Sequence, residues 1–167
     1  MILASGITYW SLYGQVRSSP ALLDEPETAP FITPFLRGHG GARSASRLPF
    51  YEAMARLGRA NVARLHRAGV TTGAESGGFV PWSLHAEMEE RVGAGVSPGA
   101  ALEAATLVNA RSIGAEHDIG SIEEGKVADL VLLDADPLAD IRNTRRIHAV
   151  IRGGRLVDRE ALLRPSN

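Results

Sequence analysis

Histidine and carboxylate side chains are the groups in this chain that could bind a metal ion, because the sequence contains no cysteine. The five histidines lie far apart, at His39, His66, His85, His117 and His148, and no two are separated by two or four residues. Those are the spacings by which one strand or one helix brings two imidazoles to a single ion. We therefore expect structural hydrogen bonds from the histidines. His39, which lies in a long loop, is left open as a substrate contact.

Lys126 is the single lysine among the 18 basic residues. Schiff-base formation and carbamylation both need a lysine amine, and arginine cannot replace it because its guanidinium group is not deprotonated in proteins. Lys126 directly follows Gly125 in a glycine-containing turn. We therefore expect a solvated turn residue rather than a catalytic amine.

The size and charge of the chain exclude several functions. Its 167 residues are too few for a complete (β/α)8 barrel, which takes about 250 residues. The net charge of -1 gives no field that would attract nucleic acid, and no apolar run reaches the about 18 residues of a membrane span. The opening residues lack the basic and long apolar segments of a signal peptide. We expect a folded cytoplasmic protein with no nucleic-acid or membrane partner.

Apolar periodicity and turn residues predict an α/β arrangement up to residue 115. The predicted elements are a strand over 2–13, a proline- and glycine-rich loop over 15–46, a helix over 49–69, a short strand over 70–74, a helix that ends at Gly93 or Gly95, and a helix from Pro98 to Gly114. Ser97 and Pro98 are well suited to the N-cap and first position of the last helix.

Each predicted helix is expected to bury one apolar face. The residues assigned to these faces are Phe50, Met54, Leu57, Asn61 and Leu65 in the first helix, Leu84, Met88 and Val92 in the second, and Ala101, Leu102, Ala105, Val108 and Ile113 in the third. The charged residues Glu87, Glu89, Glu90 and Arg91 fall on the other side of the second helix. We interpret them as a solvated acidic face and not as a metal cluster.

The residues after 115 are rich in β-forming residues. A strongly apolar strand is predicted over 127–133, and Gly153-Gly154 lies between two short apolar runs, as in a two-residue hairpin turn. We therefore divide the chain into residues 1–115 and a separate small sheet over 116–167.

Two motifs resemble one protein family. The run from Gly120 to Asp134, GSIEEGKVADLVLLD, resembles the C-terminal signature of the metal-dependent amidohydrolase superfamily, in its imidazolonepropionase-like branch. The preceding run from Ala105 to Gly114, ATLVNARSIG, resembles the helix before that signature. The resemblance covers about the last seventy residues and continues more weakly over 50–95. It implies a partial TIM barrel, consisting of the last strands and helices, followed by part of a small β-sandwich.

The resemblance also implies a chemistry and a candidate residue. Members of the family use a divalent metal ion, zinc by expectation, to activate water for attack on C-N bonds of small amide-type substrates. Glu75, in Gly73-Ala74-Glu75-Ser76-Gly77, stands where the family has an aspartate after the eighth strand. It is the candidate catalytic carboxylate, with a solvated loop glutamate as the alternative. The signature itself, which contains Asp129, is expected to be architectural.

Three hypotheses follow from this resemblance. The first is a C-terminal amidohydrolase fragment, inactive alone and without a metal ion of its own, because the family's His-x-His ligand pair is absent. The second is a non-catalytic module that self-associates or docks on an N-terminal complementing chain through exposed edges. The third is a new fold in which the inherited elements have repacked.

Overall fold

The computed structural model of the chain describes residues 3–4, 48–75 and 82–162. The elements in chain order are β1 (Leu3–Ala4), α1 (Leu48–Arg67), β2 (Thr72–Gly73), α2 (Ser83–Gly93), α3 (Pro98–Ala105), α4 (Leu107–Ser112), β3 (Leu130–Leu133), a 3-10 helix (Ile141–Arg145), β4 (Ile147–Arg152), β5 (Arg155–Leu156) and α5 (Arg159–Leu162). The predicted α/β class is confirmed.

The first sheet is a short parallel pair. Leu3 lies opposite Thr72 and Ala4 lies opposite Gly73, so β1 and β2 run in the same direction. Strand β2 has two residues and is shorter than the strand predicted over 70–74. Most of the strand predicted over 2–13, the loop over 15–46 and His39 lie outside the described residues.

Helix α1 buries a different face from the one predicted. Tyr51, Ala55 and Val62 are buried, whereas Phe50 and Leu57 are more than half exposed. The predicted stripe is displaced from the buried stripe by one residue, which rotates the helix by about 100°. Apolar spacing fits either stripe, and the contacts of α1 with α2 and β2 select the one that contains Tyr51.

The core cluster joins the helices to a later segment. Its buried members are Val62 from α1, Met88 from α2, Val96, Ala101 from α3 and Ile141 from the 3-10 helix. Ser97 caps α3 by accepting a hydrogen bond from the Ala100 amide at 3.3 Å, and Pro98 follows as the first helical residue, as predicted. This part of the molecule therefore has a conventional apolar core.

The helix predicted over 98–114 is two helices, and this prediction was wrong. The chain breaks at Thr106. Ala104 is the last residue but one of α3. Its carbonyl accepts a hydrogen bond from the Ala74 amide at 2.9 Å, and this bond directs the carbonyl away from the hydrogen bonds within the helix. The break also reorients the following turn, so Ile113 is exposed rather than buried.

The second sheet is antiparallel, in the order β3-β4-β5. Gly153 and Gly154 have φ angles of +55° and +78°, the left-handed values that a type I′ hairpin turn requires, and the predicted hairpin is confirmed. Asp129 accepts a hydrogen bond from the Gly153 amide at 2.6 Å, which fixes the strand entrance against this turn. Strand β3 begins at Leu130, three residues later than predicted.

Within the described part of the chain, no residue of this sheet is fully buried. Val131 of β3 is 56% exposed and Leu156 of β5 is 74% exposed. The apolar run over 127–133 was expected to enter a buried strand, and that expectation was wrong for β3. The sheet is held by its hydrogen-bond ladder and turns rather than by a covering layer within the described residues. Among those residues, no helix has the length and apolar character needed to cross a bilayer.

Candidate active site

Glu75 lies just after β2, with Ala74 as the one residue between them. Its side chain is half-buried, and the residues from 76 to 81 lie outside the described part of the chain. The position of the Glu75 backbone is therefore set by the contacts of the three preceding residues, Thr72, Gly73 and Ala74. Parallel strands place reacting side chains at their carboxyl ends, and Glu75 has that position relative to β2.

A buried arginine from α2 holds the two residues of β2. The Arg91 guanidinium donates from Nη1 to the Thr72 hydroxyl at 2.9 Å and from Nη2 to the Gly73 carbonyl. Its Nε donates to Glu87 Oε1 at 3.0 Å, one helical turn earlier on α2. Glu87 and Arg91 are therefore a buried ion pair whose positive end is bonded to the strand.

Ala74 is held on both of its backbone groups by the next two helices. Its amide donates to the Ala104 carbonyl of α3, and its carbonyl accepts from Asn109 Nδ2 of α4 at 2.6 Å. Together with the Arg91 contacts, these bonds fix the backbone of three consecutive residues immediately before Glu75. The helices, rather than a second neighbouring strand within the described residues, define where the Glu75 backbone begins.

The prediction that Glu87 and Arg91 lie on a solvated face was wrong. Both side chains are buried because each neutralises the other, and because the strand carbonyls accept the remaining arginine donors. Their spacing of four residues, glutamate first, was the available signal, since that order favours an ion pair along a helix. Nothing in the spacing distinguishes a buried pair from an exposed one.

His85 makes the structural hydrogen bond that was predicted. Its Nδ1 lies 3.1 Å from Thr144 Oγ1, and the Thr144 hydroxyl donates its own proton to the Ile141 carbonyl at 2.8 Å. The hydroxyl therefore accepts from His85, which places the imidazole proton on Nδ1. Burial lowers the pKa of His85, the nearby Arg145 lowers it further, and Glu89 opposes the shift.

The other described histidines are spread over the surface. His148 Nδ1 lies 3.0 Å from Asp134 Oδ1 in an exposed pair between β4 and the end of β3. His66 and His117 are exposed on α1 and on the loop after α4. The structure therefore does not bring these histidines together with Glu75.

Lys126 is a turn residue, as predicted, but it is not solvated. Its side chain is 11% exposed, and Nζ donates to Ser121 Oγ and, at 3.0 Å, to Glu123 Oε1. The correction has a simple cause, because the turn folds back and supplies two acceptors to the ammonium group. These bonds tie the two ends of the glycine-bracketed turn.

The described residues do not fit a divalent metal ion. Over 3–4, 48–75 and 82–162, no three side chains from His, Asp or Glu converge in a way that could hold one. Zinc sites in proteins are built from three or four protein ligands. Glu75 thus lies after a strand end, and the described residues form no group of three His, Asp or Glu side chains that includes it.

Comparison with known proteins establishes the class to which the chain belongs. The amidohydrolase family profile matches residues 25–157, which is most of the chain. The chain is a member of the amidohydrolase family, and its resemblance to the imidazolonepropionase-like branch is confirmed. Proteins of this family are generally metal-dependent hydrolases.

Curated relatives match over a limited part of their length. The adenine deaminase of Rubrobacter xylanophilus is 41% identical over 66 residues, which are 38% of this chain and 11% of that protein. The imidazolonepropionase of Geobacillus thermodenitrificans is 40% identical over 68 residues, 39% of this chain and 16% of that protein. The chain therefore spans less than a fifth of these relatives.

Solved structures match over more of the chain. A molinate hydrolase superposes with a TM-score of 0.66 at 28% identity, over 73% of this chain and 31% of that chain. A putative prolidase from Bifidobacterium longum superposes with a TM-score of 0.61 at 36% identity, over 70% of this chain and 30% of that chain. The architecture described above is thus similar to about a third of each amidohydrolase structure.

Proposed function

We propose that this chain forms the last strands and helices of a (β/α)8 barrel, with part of the adjoining β-sandwich, in a cytoplasmic hydrolase of amide-type C-N bonds. The parallel pairing of β1 with β2 and the position of Glu75 after β2 support this proposal. The match to about a third of each solved relative is consistent with it. The family resemblance makes a small amide the expected substrate, and the net charge of -1 gives nucleic acid no attraction.

The position of Glu75 is the observation that carries the proposal. A carboxylate after a barrel strand can take a proton from the water that attacks the substrate carbonyl carbon. The C-N bond then breaks as the same proton passes from the carboxylic acid to the leaving nitrogen. Glutamate and aspartate can both do this, but the extra methylene of Glu75 changes where the carboxylate lies.

The rest of the active site must come from other residues in this proposal. Because the described residues lack a ligand set for a divalent ion, we derive no step through a metal. We expect the chain alone to be inactive, and we expect activity when an N-terminal part of an amidohydrolase is supplied. Such a part would act as the complementing partner of this chain.

The direct test is a hybrid enzyme. Residues 48–167 replace the matching third of the Bifidobacterium longum relative, and the purified hybrid is assayed with a panel of acylated amines, cyclic amides and dipeptides. We expect turnover by the hybrid and none by the chain alone. Glu75→Gln should lower kcat about 10²-fold or more, and Glu75→Asp should also lower kcat because its shorter side chain displaces the carboxylate.

Glu124→Gln is the matched control, because Glu124 is an exposed glutamate in a turn. Its kcat should equal that of the unmodified hybrid. Full activity of the Glu75→Gln hybrid would refute the role of Glu75. Turnover of any panel member by the chain alone would refute its inactivity.

A second candidate function rests on the open faces of the antiparallel sheet. Leu132 and Leu156 are exposed on one face of the sheet and Val131 on the other, because successive strand residues point to opposite faces, and exposed apolar side chains mark interaction surfaces. In this alternative the chain is a non-catalytic module that associates with a second copy of itself. Sedimentation analysis should then show a dimer that Val131→Asp dissociates, and a monomer at all concentrations would exclude it.

A further inference from the structure

Two charged side chains are among the most deeply buried in the described part of the chain. Arg91 is 2% exposed and Glu87 is fully buried. Removing both charges from water is costly, and apolar side chains of similar volume often stabilise a protein as well or better. Stability therefore does not explain why two ionic groups are placed here. Their contacts suggest another role.

The guanidinium contacts converge on the strand that leads to Glu75. Arg91 is bonded to Thr72 Oγ1, lies 3.4 Å from the Thr72 carbonyl and is bonded to the Gly73 carbonyl. Glu87 accepts from Nε and thereby restrains the plane of the guanidinium. A planar fork with several donors can define a backbone position that a single contact cannot.

The side chain of Asn109 adds an independent restraint on the same segment. Its amide nitrogen donates to the Ala74 carbonyl from α4, on a different helix from Arg91. The carbonyls of residues 72, 73 and 74 are thus all approached by side-chain donors from helices. Glu75 is the next residue, so any displacement of this segment displaces its carboxylate.

We propose that the buried Glu87–Arg91 pair is a positioning device, which fixes the backbone of residues 72–74 and thereby sets where the Glu75 carboxylate lies. This inference rests on the proposed function, because it takes Glu75 as the reacting carboxylate. Neither residue touches the substrate in this scheme. Catalytic geometry is sensitive to displacements of about 1 Å, and the pair limits such displacements.

The first experiment measures amide hydrogen exchange by NMR in the full chain. The double variant Glu87→Leu/Arg91→Met replaces the ion pair with apolar side chains of similar volume. We expect the exchange rate of the Ala74 amide to rise at least tenfold, while the amides of α2 and α3 keep their protection. Arg91→Lys, which keeps the charge without the planar fork, should also raise the Ala74 rate and provides a second variant if the double variant does not fold.

The matched control removes another ion pair of α2. Arg59 on α1 is bonded through two guanidinium nitrogens to Glu90, which lies on the same helix as Glu87 and Arg91. Arg59→Met/Glu90→Leu should leave the Ala74 exchange rate unchanged. An equal increase in the control and in the Glu87/Arg91 variant would show a general loosening of α2 and would overturn the proposal.

The second experiment measures kinetics in the hybrid enzyme. The Glu87→Leu/Arg91→Met hybrid should lose at least tenfold in kcat with KM unchanged, since the reacting carboxylate is displaced but substrate binding is not. Unchanged Ala74 exchange in both variants would overturn the positioning role, whatever the activity. Increased exchange together with full activity of Glu75→Gln would instead overturn the role of Glu75, and the strand-fixing role of Arg91 would stand.

Discussion

Two regions differ in the type of side chain that they bury: the helical region over 48–112 and the antiparallel sheet over 130–156. The helices enclose the ionic pair Glu87–Arg91, whereas the sheet leaves Val131 and Leu156 exposed. Residue type alone therefore does not decide burial in this chain. A charged group is buried where its partners are supplied, and an apolar group is exposed where no layer of the described residues covers it.

The two regions also differ in what holds them together. Side chains from α1 to α3 pack around Val62, Met88 and Ala101 in the helical region. Backbone bonds and glycine turns define the sheet, with Asp129 bonded to the Gly153 amide. The first region depends on tertiary packing, and the second depends mainly on local hydrogen bonding. Perturbing each type of contact tests this difference.

The largest effect is expected from breaking the buried ion pair on one side. Arg91→Met leaves the Glu87 carboxylate buried without its cation, which should lower the free energy of unfolding by about 3–5 kcal/mol. Denaturant titration measures this change. Glu87→Leu/Arg91→Met should restore the stability to near the parent value. If the single and double variants are equally unstable, the cost lies in packing rather than in the unpaired charge.

The next effect tests whether the segment between the sheet strands belongs to the helical core. Ile141 is 5% exposed and packs in the cluster with Val62 and Met88. Ile141→Ala should lower the free energy of unfolding by about 2–4 kcal/mol because it leaves a cavity. Ile122→Ala, at an exposed position, should change it by less than about 0.5 kcal/mol. Similar losses in both variants would contradict the assigned packing.

A smaller effect is expected where the signature turn passes against α4. Gly120 has a φ of +97°, and a Cβ at this position would lie 2.7 Å from the Ala110 Cβ and 3.0 Å from the Leu107 Cα. Gly120→Ala should therefore destabilise the protein by about 2 kcal/mol. Gly125→Ala has a similar φ but no atom within 4 Å, and should cost about 1 kcal/mol. Thermal unfolding of both variants measures the difference that is due to the close approach.

The smallest effect is a pH dependence at the contact between the two regions. The pKa of His85 is lowered by burial from its ordinary value of 6.5. The unfolded chain therefore binds this proton first, and the stability contributed by neutral His85 is lost as pH falls below about 6.5. His85→Asn should flatten the stability profile between pH 7 and pH 5, as measured by urea titration at each pH. An identical slope in the variant would show that other groups set it.

Local signals predicted the elements that have a local cause. Ser97-Pro98 began a helix as expected, and Gly153-Gly154 formed the hairpin turn, because caps and left-handed turns depend on a few adjacent residues. The break at Thr106 was missed because the Ala74 amide, which bonds to the nearby Ala104 carbonyl, lies thirty residues before Ala104. The buried face of α1 was missed because spacing does not show which neighbour a helix meets.

The candidate site was predicted only in part. Glu75 was singled out by its resemblance to a family motif and lies after β2, and its catalytic role stays a prediction. Arg91 and Asn109, which hold the preceding residues, were not identified. Their bonds to Gly73 and Ala74 span 18 and 35 residues of sequence. No sequence pattern shows which side chains donate hydrogen bonds to distant backbone carbonyls. The division at residue 115 stays a prediction.

Ile141 comes late in the sequence but packs with helices that come much earlier in it. This side chain comes from the connection between two sheet strands, yet it completes the interior formed by the helices. An expression fragment that stops at the end of α4 would lack it and would expose Met88 and Val96 to water. The smallest piece of this protein that retains its own interior must therefore extend through the 3-10 helix at Arg145.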